Sequence, residues 1–192
     1  HIVWSKIETC NSIDEIHHPA VREVLRYLGI DRGLSVHHQG DLPARSGIGS
    51  SSAFTVGIMH ALYALQGQMV DKLKLAQESI YIEREVLKET VGSQDQISVA
   101  CGGFNHVTFS QSGEINIMPL TIKNERIRDL NNHLMLFYTG IERTAADIAQ
   151  SYVHDIQSKS HQLNLMAEMV NESISILNSE EDLTRFGKLL GE

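Results

Sequence analysis

The chain of 192 residues has a formal net charge of −8, with 42% hydrophobic and 21% charged residues. This composition is typical of a globular protein with one large domain or somewhat more. The acidic balance argues against non-specific binding to nucleic acid or to anionic membranes, and no apolar run approaches the roughly 20 residues of a membrane span. Cys10 and Cys101 lack the spacing of a disulfide framework or a metal site. We therefore expect reduced thiols, a cytoplasmic location, and neither a nucleic-acid nor a membrane partner.

The first part of the chain alternates between predicted strands and helices. Residues 3–9 and 34–39 have the alternation of strands, and residues 19–28 have apolar positions at helical spacing, followed by Gly29 as a stop. Residues 51–65 are apolar on most faces, which predicts a buried helix.

The later part is predicted to be mainly helical, with a hairpin between its helices. A long helix over 70–88 and a short helix ending at 102–103 precede strands over 104–110 and 114–118. A further strand is predicted over 133–139, and helices from 144 onward. The charged stretch 122–132 is the candidate domain boundary.

Residues 42–53 contain a glycine-rich loop followed by a helix-forming segment, Leu-Pro-Ala-Arg-Ser-Gly-Ile-Gly-Ser-Ser-Ser-Ala. Gly47 and Gly49 permit a positive φ and a close approach to a ligand, and the free N–H groups at a helix start attract anions. The loop lacks the lysine of a Walker A motif. It is interpreted either as a phosphate-binding loop or as a tight turn with a serine N-cap.

Glu83 lies between two apolar stripes of the predicted helix 70–88. At about 100° per residue, one stripe holds Leu73, Ala76, Ile80 and Leu87, and the other holds Leu75, Ile82 and Val86. A carboxylate between apolar surfaces is costly unless it has a cation, a metal ion or hydrogen-bond donors. Glu83 is therefore interpreted either as the partner of a nearby Arg or Lys or as a metal ligand.

Asp95 follows a polar turn, in the first turn of the predicted short helix. An aspartate there is stabilised by the helix dipole, and this alone explains its position. The alternative is that Asp95 faces a substrate hydroxyl. Phosphoryl transfer needs a loop for the phosphates, a group for the metal ion and a residue at the acceptor hydroxyl, and the glycine loop, Glu83 and Asp95 would meet these needs.

The pattern Pro43-x-x-x-Gly47-x-Gly49-Ser50-Ser51-Ser52 resembles the phosphate-loop motif of the GHMP kinases, which include galactokinase, homoserine kinase, mevalonate kinase and phosphomevalonate kinase. Glu83 stands twelve residues before Asp95, as do the metal-binding Glu and the catalytic Asp of galactokinase-like members. Segments 51–57, 92–96, 102–105 and 136–145 are similar to the sugar branch that phosphorylates D-glycero-D-manno-heptose 7-phosphate. The resemblance covers nearly the whole chain.

The resemblance implies ATP- and Mg²⁺-dependent transfer of a phosphoryl group to the anomeric hydroxyl of a sugar phosphate. The loop that would bind ATP consists of Pro43, Ala44, Arg45, Ser46, Gly47, Ile48, Gly49, Ser50, Ser51 and Ser52. By the same resemblance Ser51 and Glu83 would hold Mg²⁺, with Ser50 or Ser52 as substitutes for Ser51. Asp95 would orient or deprotonate the sugar hydroxyl. Arg45 and Arg143 would contact phosphate groups, or else are surface arginines.

The resemblance also implies an α+β fold. Residues 1–125 would form the N-terminal ATP-binding domain (ribosomal protein S5 domain 2-like) without its first strands, and residues 126–192 the start of a helix-rich C-terminal domain. The N-terminal and C-terminal motifs of the family are absent from this sequence. We therefore expect a truncated kinase that self-associates through exposed surfaces, or that pairs with the missing pieces as a separate chain. Two alternatives stay open: another sugar 1-kinase such as a fucokinase-like enzyme, and a catalytically silent nucleotide-binding fragment.

Overall fold

The structure, a computed structural model, describes residues 1–41, 46–140 and 156–191. It forms two compact units, of which the first contains residues 1–102 and the second is built from the described residues of 103–139 and 152–192. The mixture of helices and small sheets is the α+β architecture expected from the sequence. The domain boundary between residues 125 and 126 stays a prediction.

A three-stranded sheet opens the first unit, in the order β2-β1-β3. Strand β1 (Ile2–Val3) runs antiparallel to β2 (Ile7–Glu8) and parallel to β3 (Val36–His37). The prediction of one continuous strand over 3–9 is wrong, because the backbone N–H of Trp4 bonds to the carbonyl of Lys6 and the chain reverses there. The predicted strand over 34–39 is confirmed at its centre.

Helices make up most of the first unit. Helix α1 (Pro19–Tyr27) begins with a proline at its first position, which suits the missing N–H, and His18 caps it. Helix α2 (Ser50–Leu65) confirms the predicted buried helix. The predicted helix 70–88 is divided into α3 (Lys72–Tyr81) and a π-helical segment (Ile82–Val86).

Helix α4 (Gln94–Cys101) packs against both α2 and α3. The apolar face of α2 lies in the centre of the first unit together with residues of α1 and the π-helical segment. The residues buried there include Val21, Val24, Leu25, Val56, Met59, Leu62, Leu75 and Ile82. This packing fixes the start of α2, the start of α4 and the π-helical segment relative to one another, which positions the candidate site.

The second unit contains a hairpin and three helices among its described residues. Strands β4 (Asn105–Phe109) and β5 (Ile115–Pro119) pair antiparallel with Val107 opposite Ile117, which confirms the predicted hairpin. Helix α5 (Asn124–His133) occupies the charged stretch that was the candidate boundary. Helices α6 (Ser160–Asn178) and α7 (Thr184–Leu189) confirm the helical prediction for that part of the chain.

The predicted strand over 133–139 is wrong. His133 ends α5, and residues 134–139 pair with no strand among the described residues. An apolar run of this kind forms a strand only where a neighbouring strand supplies the hydrogen bonds. The helical prediction for residues 144–155 falls outside the described residues. Within the described ranges, the helices are all too short or too polar to cross a membrane.

Candidate active site

The described part of the glycine loop leads directly into α2. Gly47 and Gly49 have φ values of +79° and +75°, in the left-handed region that glycine occupies without strain. Gly49 is the N-cap of α2, and its carbonyl accepts the N–H of Ala53 at 2.9 Å. The expected alternative of a serine N-cap is therefore wrong. Because glycine offers no capping side chain, the N–H groups of the first turn remain available to an anion.

Asp95 lies against this loop. It is the second residue of α4 and is half-buried. A β-carbon built on Gly49 would lie 3.1 Å from both the Cγ and the Oδ2 of Asp95. The absence of a side chain at Gly49 is what allows the carboxylate to reach the backbone of the loop. A group bound at the start of α2 would therefore lie next to Asp95.

Glu83 is held by two neutral donors, one of them from the first turn of α2. It is 1% exposed, and its Oε2 accepts a hydrogen bond from Ser52 Oγ at 2.9 Å and a second from Gln96 Nε2. Within residues 1–41, 46–140 and 156–191, no lysine or arginine forms an ion pair with Glu83. Its other oxygen, Oε1, is buried without a described partner.

The backbone that carries Glu83 is irregular. Leu87 N–H bonds to the carbonyl of Ile82 at 2.8 Å, and Glu89 N–H bonds to the carbonyl of Glu83 at 2.9 Å. Lys88, which follows this segment, has a φ of +57°, uncommon for a residue with a side chain. Such π-helical turns are frequent at functional sites, and a strained residue beside one strengthens the case that this region serves a ligand.

A second carboxyl group, that of Glu89, lies near Glu83. Burial, and next the negative charge of Glu83, raise the pKa of the Glu89 carboxyl above its ordinary value. A further oxygen, Oε1 of the Gln96 side chain that bonds to Glu83, is buried without a described partner. Unpaired buried acceptors are costly, so a cation or a hydrogen-bond donor bound here would stabilise the site.

The chemistry of this region fits Mg²⁺ in the company of phosphates. Mg²⁺ takes oxygen ligands and is commonly bound through one or two carboxylates together with substrate phosphates and water. Glu83 supplies one such carboxylate with Oε1 unpaired. The described residues contain no cluster of three or more His, Cys, Asp or Glu side chains suited to a metal ion.

The structure brings together several residues that the sequence singled out. Residues 46–52, Glu83 and Asp95 meet around the start of α2. Ser52 donates its hydroxyl to Glu83. Ser51, which the resemblance assigned to Mg²⁺, is exposed, and its carbonyl accepts the hydroxyl of Thr55 at 3.3 Å. The roles of these residues in metal and nucleotide binding stay predictions. Pro43, Ala44, Arg45 and Arg143 lie outside the described residues.

Sequence reasoning missed Gln96, which is fully buried. A signal for it was present, since Gln96 follows Asp95 directly and adjoins Ile97 and Ala100 on the apolar side of a short helix. A glutamine at such a position needs a hydrogen-bond partner. Its partner is the carboxylate of Glu83.

Comparison with known proteins finds similarity in sequence to one family of kinases. Residues 15–103 match the GHMP kinases N terminal domain. The chain is 34% identical over 117 residues to D-glycero-alpha-D-manno-heptose 7-phosphate kinase of Campylobacter jejuni, covering 61% of this chain and 34% of that protein. It is 26% identical over 185 residues to L-fucokinase/L-fucose-1-P guanylyltransferase of Bacteroides fragilis, covering 92% of this chain and 19% of that one. The chain thus spans about a third or less of these relatives.

A solved structure shares the fold. The crystal structure of a D-glycero-D-manno-heptose 1-phosphate kinase from Bacteroides thetaiotaomicron is similar with a TM-score of 0.54 and 26% identity, covering 67% of this chain and 42% of that one. The α+β fold and the N-terminal domain expected from the sequence are confirmed by this likeness and by the family match.

Proposed function

We propose, from the match of residues 15–103 to the GHMP kinases N terminal domain, that the chain belongs to this family and that the protein transfers the γ-phosphoryl group of ATP to the anomeric hydroxyl of a sugar phosphate. One observation carries the proposal. Asp95 lies against Gly49 at the start of α2, while Glu83 is held by Ser52 one turn away. A phosphate-binding helix start, an acceptor-facing carboxylate and a buried carboxylate are the groups that phosphoryl transfer requires.

The phosphates of ATP bind at the start of α2. Gly47 and Gly49 shape the loop, and the free N–H groups of Ser50, Ser51 and Ser52 point toward the ligand. These donors are fixed by the helix before the ligand arrives, so they stabilise negative charge without reorganising. Arg45 is proposed as an additional contact to these phosphates.

Glu83 is proposed as the protein ligand of Mg²⁺, with Ser51 or the neighbouring serines contributing a hydroxyl. When bound, the ion neutralises charge on the β- and γ-phosphate oxygens. Glu83 suits this role because Ser52 and Gln96 occupy only Oε2 and leave Oε1 unpaired. Of the three serines, Ser52 already donates its hydroxyl to Glu83.

Asp95 is proposed to orient the sugar hydroxyl and to accept its proton as the new bond forms. Its carboxylate adjoins the loop that would hold the phosphates, which places a hydroxyl bound to Asp95 close to the transferred group. Orientation of this kind supplies much of the rate in phosphoryl transfer, whose loose transition state asks little of a base.

The substrate is proposed to be a heptose 7-phosphate, with Arg143 as a contact to its phosphate. The 34% identity to the Campylobacter jejuni heptose 7-phosphate kinase supports this choice. The similarity to the Bacteroides fragilis fucokinase supports the alternative of another sugar 1-kinase. A silent nucleotide-binding fragment is the remaining alternative, and it would bind ATP with Mg²⁺ but transfer nothing to any sugar.

Self-association is also proposed, through a second copy of the chain. The segment Leu134–Tyr138 exposes five consecutive large apolar side chains, between 51% and 82% of each, and such a patch on a soluble protein favours association. Light scattering over a range of concentrations tests this. A mass that stays monomeric at every concentration would count against it.

The proposed function is tested by calorimetric titration with a non-hydrolysable ATP analogue, in the presence of Mg²⁺ and of EDTA. We expect Mg²⁺-dependent binding that Glu83→Gln weakens. The matched control is Glu85→Gln, which removes an exposed carboxylate from the same π-helical segment. Turnover is then measured with heptose 7-phosphate and with fucose. Absence of analogue binding by the native chain, or equal binding with and without Mg²⁺, would contradict the proposal.

A further inference from the structure

Gln96 connects Glu83 and Asp95, because it bonds to the first and directly follows the second in the chain. It is fully buried, it follows Asp95 in α4, and its Nε2 donates a hydrogen bond to Glu83 Oε2. Resting on the proposed function, we propose that Gln96 is a positioning residue that fixes the orientation of the Glu83 carboxylate toward the metal ion. It links that orientation to the position of Asp95 through one helix.

The hydrogen bonds of Glu83 are arranged asymmetrically. Ser52 Oγ from α2 and Gln96 Nε2 from α4 both donate to Oε2, whereas Oε1 has no described partner. Donors from two different helices on one oxygen oppose rotation of the carboxylate about its last torsion angle. One carboxylate oxygen is therefore left unpaired at a fixed place, and a cation would meet a single, defined acceptor.

Glutamine is chemically suited to this position. Its amide supplies a donor to an ionised carboxylate without adding charge, whereas a second carboxylate would repel Glu83 and a hydrocarbon side chain would give it no hydrogen bond. The amide oxygen, Gln96 Oε1, is itself buried without a described partner. The same side chain thus also offers an unused acceptor inside the site.

The link to Asp95 follows from the helix. Asp95 and Gln96 are consecutive, and α4 packs against α2 and α3. A shift of α4 that moves the acceptor-facing carboxylate from Gly49 also moves the amide that holds Glu83. Groups that support a metal ligand in this way affect metal affinity by about 10- to 100-fold when they are removed.

The experiment measures the apparent affinity for Mg²⁺ in the presence of a non-hydrolysable ATP analogue, by calorimetry on the native chain and on Gln96→Leu. We expect Mg²⁺ affinity to fall about tenfold or more, with analogue binding in EDTA unchanged. The control is Ile97→Val, which perturbs the neighbouring fully buried position of the same helix and should leave Mg²⁺ affinity within about twofold. Should Gln96→Leu fail to fold, Gln96→Asn replaces it, because the shorter amide keeps the polarity and draws the donor back from Glu83.

The outcomes separate this inference from the proposed function. One possible result is that the native chain binds the analogue in a Mg²⁺-dependent way and the Gln96 variants keep its Mg²⁺ affinity. This result would overturn the positioning role alone. A native chain that binds the analogue equally well without Mg²⁺ would overturn the proposed function, and the positioning role with it. An equal loss in Ile97→Val would show that general disturbance of α4, rather than the amide, is responsible, and would also overturn the inference.

Discussion

The backbone of Gly49 and the carboxylate of Asp95 occupy neighbouring space, and a β-carbon on Gly49 would come within 3.1 Å of Asp95 Cγ and Oδ2. Gly49 is also in the left-handed region, with φ +75°. Glycine is thus required here for two independent reasons, its backbone conformation and the approach of Asp95. The contact connects the start of α2 to the start of α4.

Gly49→Ala is expected to damage both the fold and ligand binding. The left-handed conformation costs a residue with a side chain about 1–2 kcal/mol, and the new methyl group would displace Asp95. The control is Gly57→Ala in the middle of α2, where nothing lies within 4 Å of the new carbon. That change should raise the free energy of unfolding by roughly 0.5–1 kcal/mol.

Urea unfolding and analogue titration measure the two effects of Gly49→Ala. A variant as stable as the native chain, with unchanged affinity for the analogue, would show that neither the conformation nor the contact matters.

Asp95→Asn is expected to abolish most phosphoryl transfer while sparing nucleotide binding. The amide keeps the size of the side chain, but it is uncharged, so it binds the sugar hydroxyl less strongly than the carboxylate and cannot accept its proton. Loss of such a group typically lowers turnover by about 10²- to 10⁴-fold. The measurement compares turnover with heptose 7-phosphate against affinity for the ATP analogue. Asp31→Asn, at an exposed position of the same unit, is the control. Unchanged turnover in Asp95→Asn would remove Asp95 from the proposed role.

Glu83→Gln is expected to make the ligand-free chain more stable, although it weakens Mg²⁺-dependent binding. Glu83 is 1% exposed, and its partners among the described residues are neutral donors. Removing the buried negative charge should therefore raise the free energy of unfolding, by about 1 kcal/mol, as is common where function keeps a destabilising group. Urea unfolding in EDTA measures this change. A less stable variant would contradict this prediction and would mean that the hydrogen bonds from Ser52 and Gln96 already compensate the buried charge.

The sequence predicted the parts of the site that depend on local chemistry. Paired glycines before a helix indicated the loop, and a carboxylate between two apolar stripes indicated a buried Glu83. It could not predict that Ser52, rather than Ser51, contacts Glu83, because the choice depends on how α2 is rotated against α3 and α4. Gln96 was missed for the same reason, since its significance lies in a contact with a residue thirteen positions away.

The errors in the fold have a similar cause. Residues 3–9 alternate as a strand should, and the chain nevertheless turns after Val3 so that β2 can pair with β1. Residues 134–138 form a continuous apolar run that also favours a strand, but no described strand pairs with them. Local periodicity predicts which side chains could face a core. Hydrogen-bonded neighbours, which come from distant sequence, decide whether a strand forms.

The stability of the first unit should depend on pH through His18. Its Nδ1 accepts the backbone N–H of Val21 at 3.4 Å and so caps α1, and its ring packs against Trp4 and Phe54. Burial lowers the pKa of His18 below its ordinary value of 6.5; the negative charge of Glu8 opposes this and the nearby His38 adds to it. A protonated Nδ1 could no longer accept the capping hydrogen bond.

The pKa of His18 is lower in the folded chain than in the unfolded chain, so His18 takes up a proton at a higher pH when the chain is unfolded. This contribution to stability is complete above pH 6.5 and is lost as the pH falls toward the lowered pKa. His18→Asn keeps a capping group that does not titrate, so its unfolding free energy should change less between about pH 7 and 5. His60→Asn, exposed on α2, should retain the native pH dependence. The unfolding free energy of all three proteins is measured by urea unfolding, followed by the fluorescence of Trp4, the one tryptophan of the chain. Equal pH dependence in the native chain and in His18→Asn would contradict the assignment of this dependence to His18.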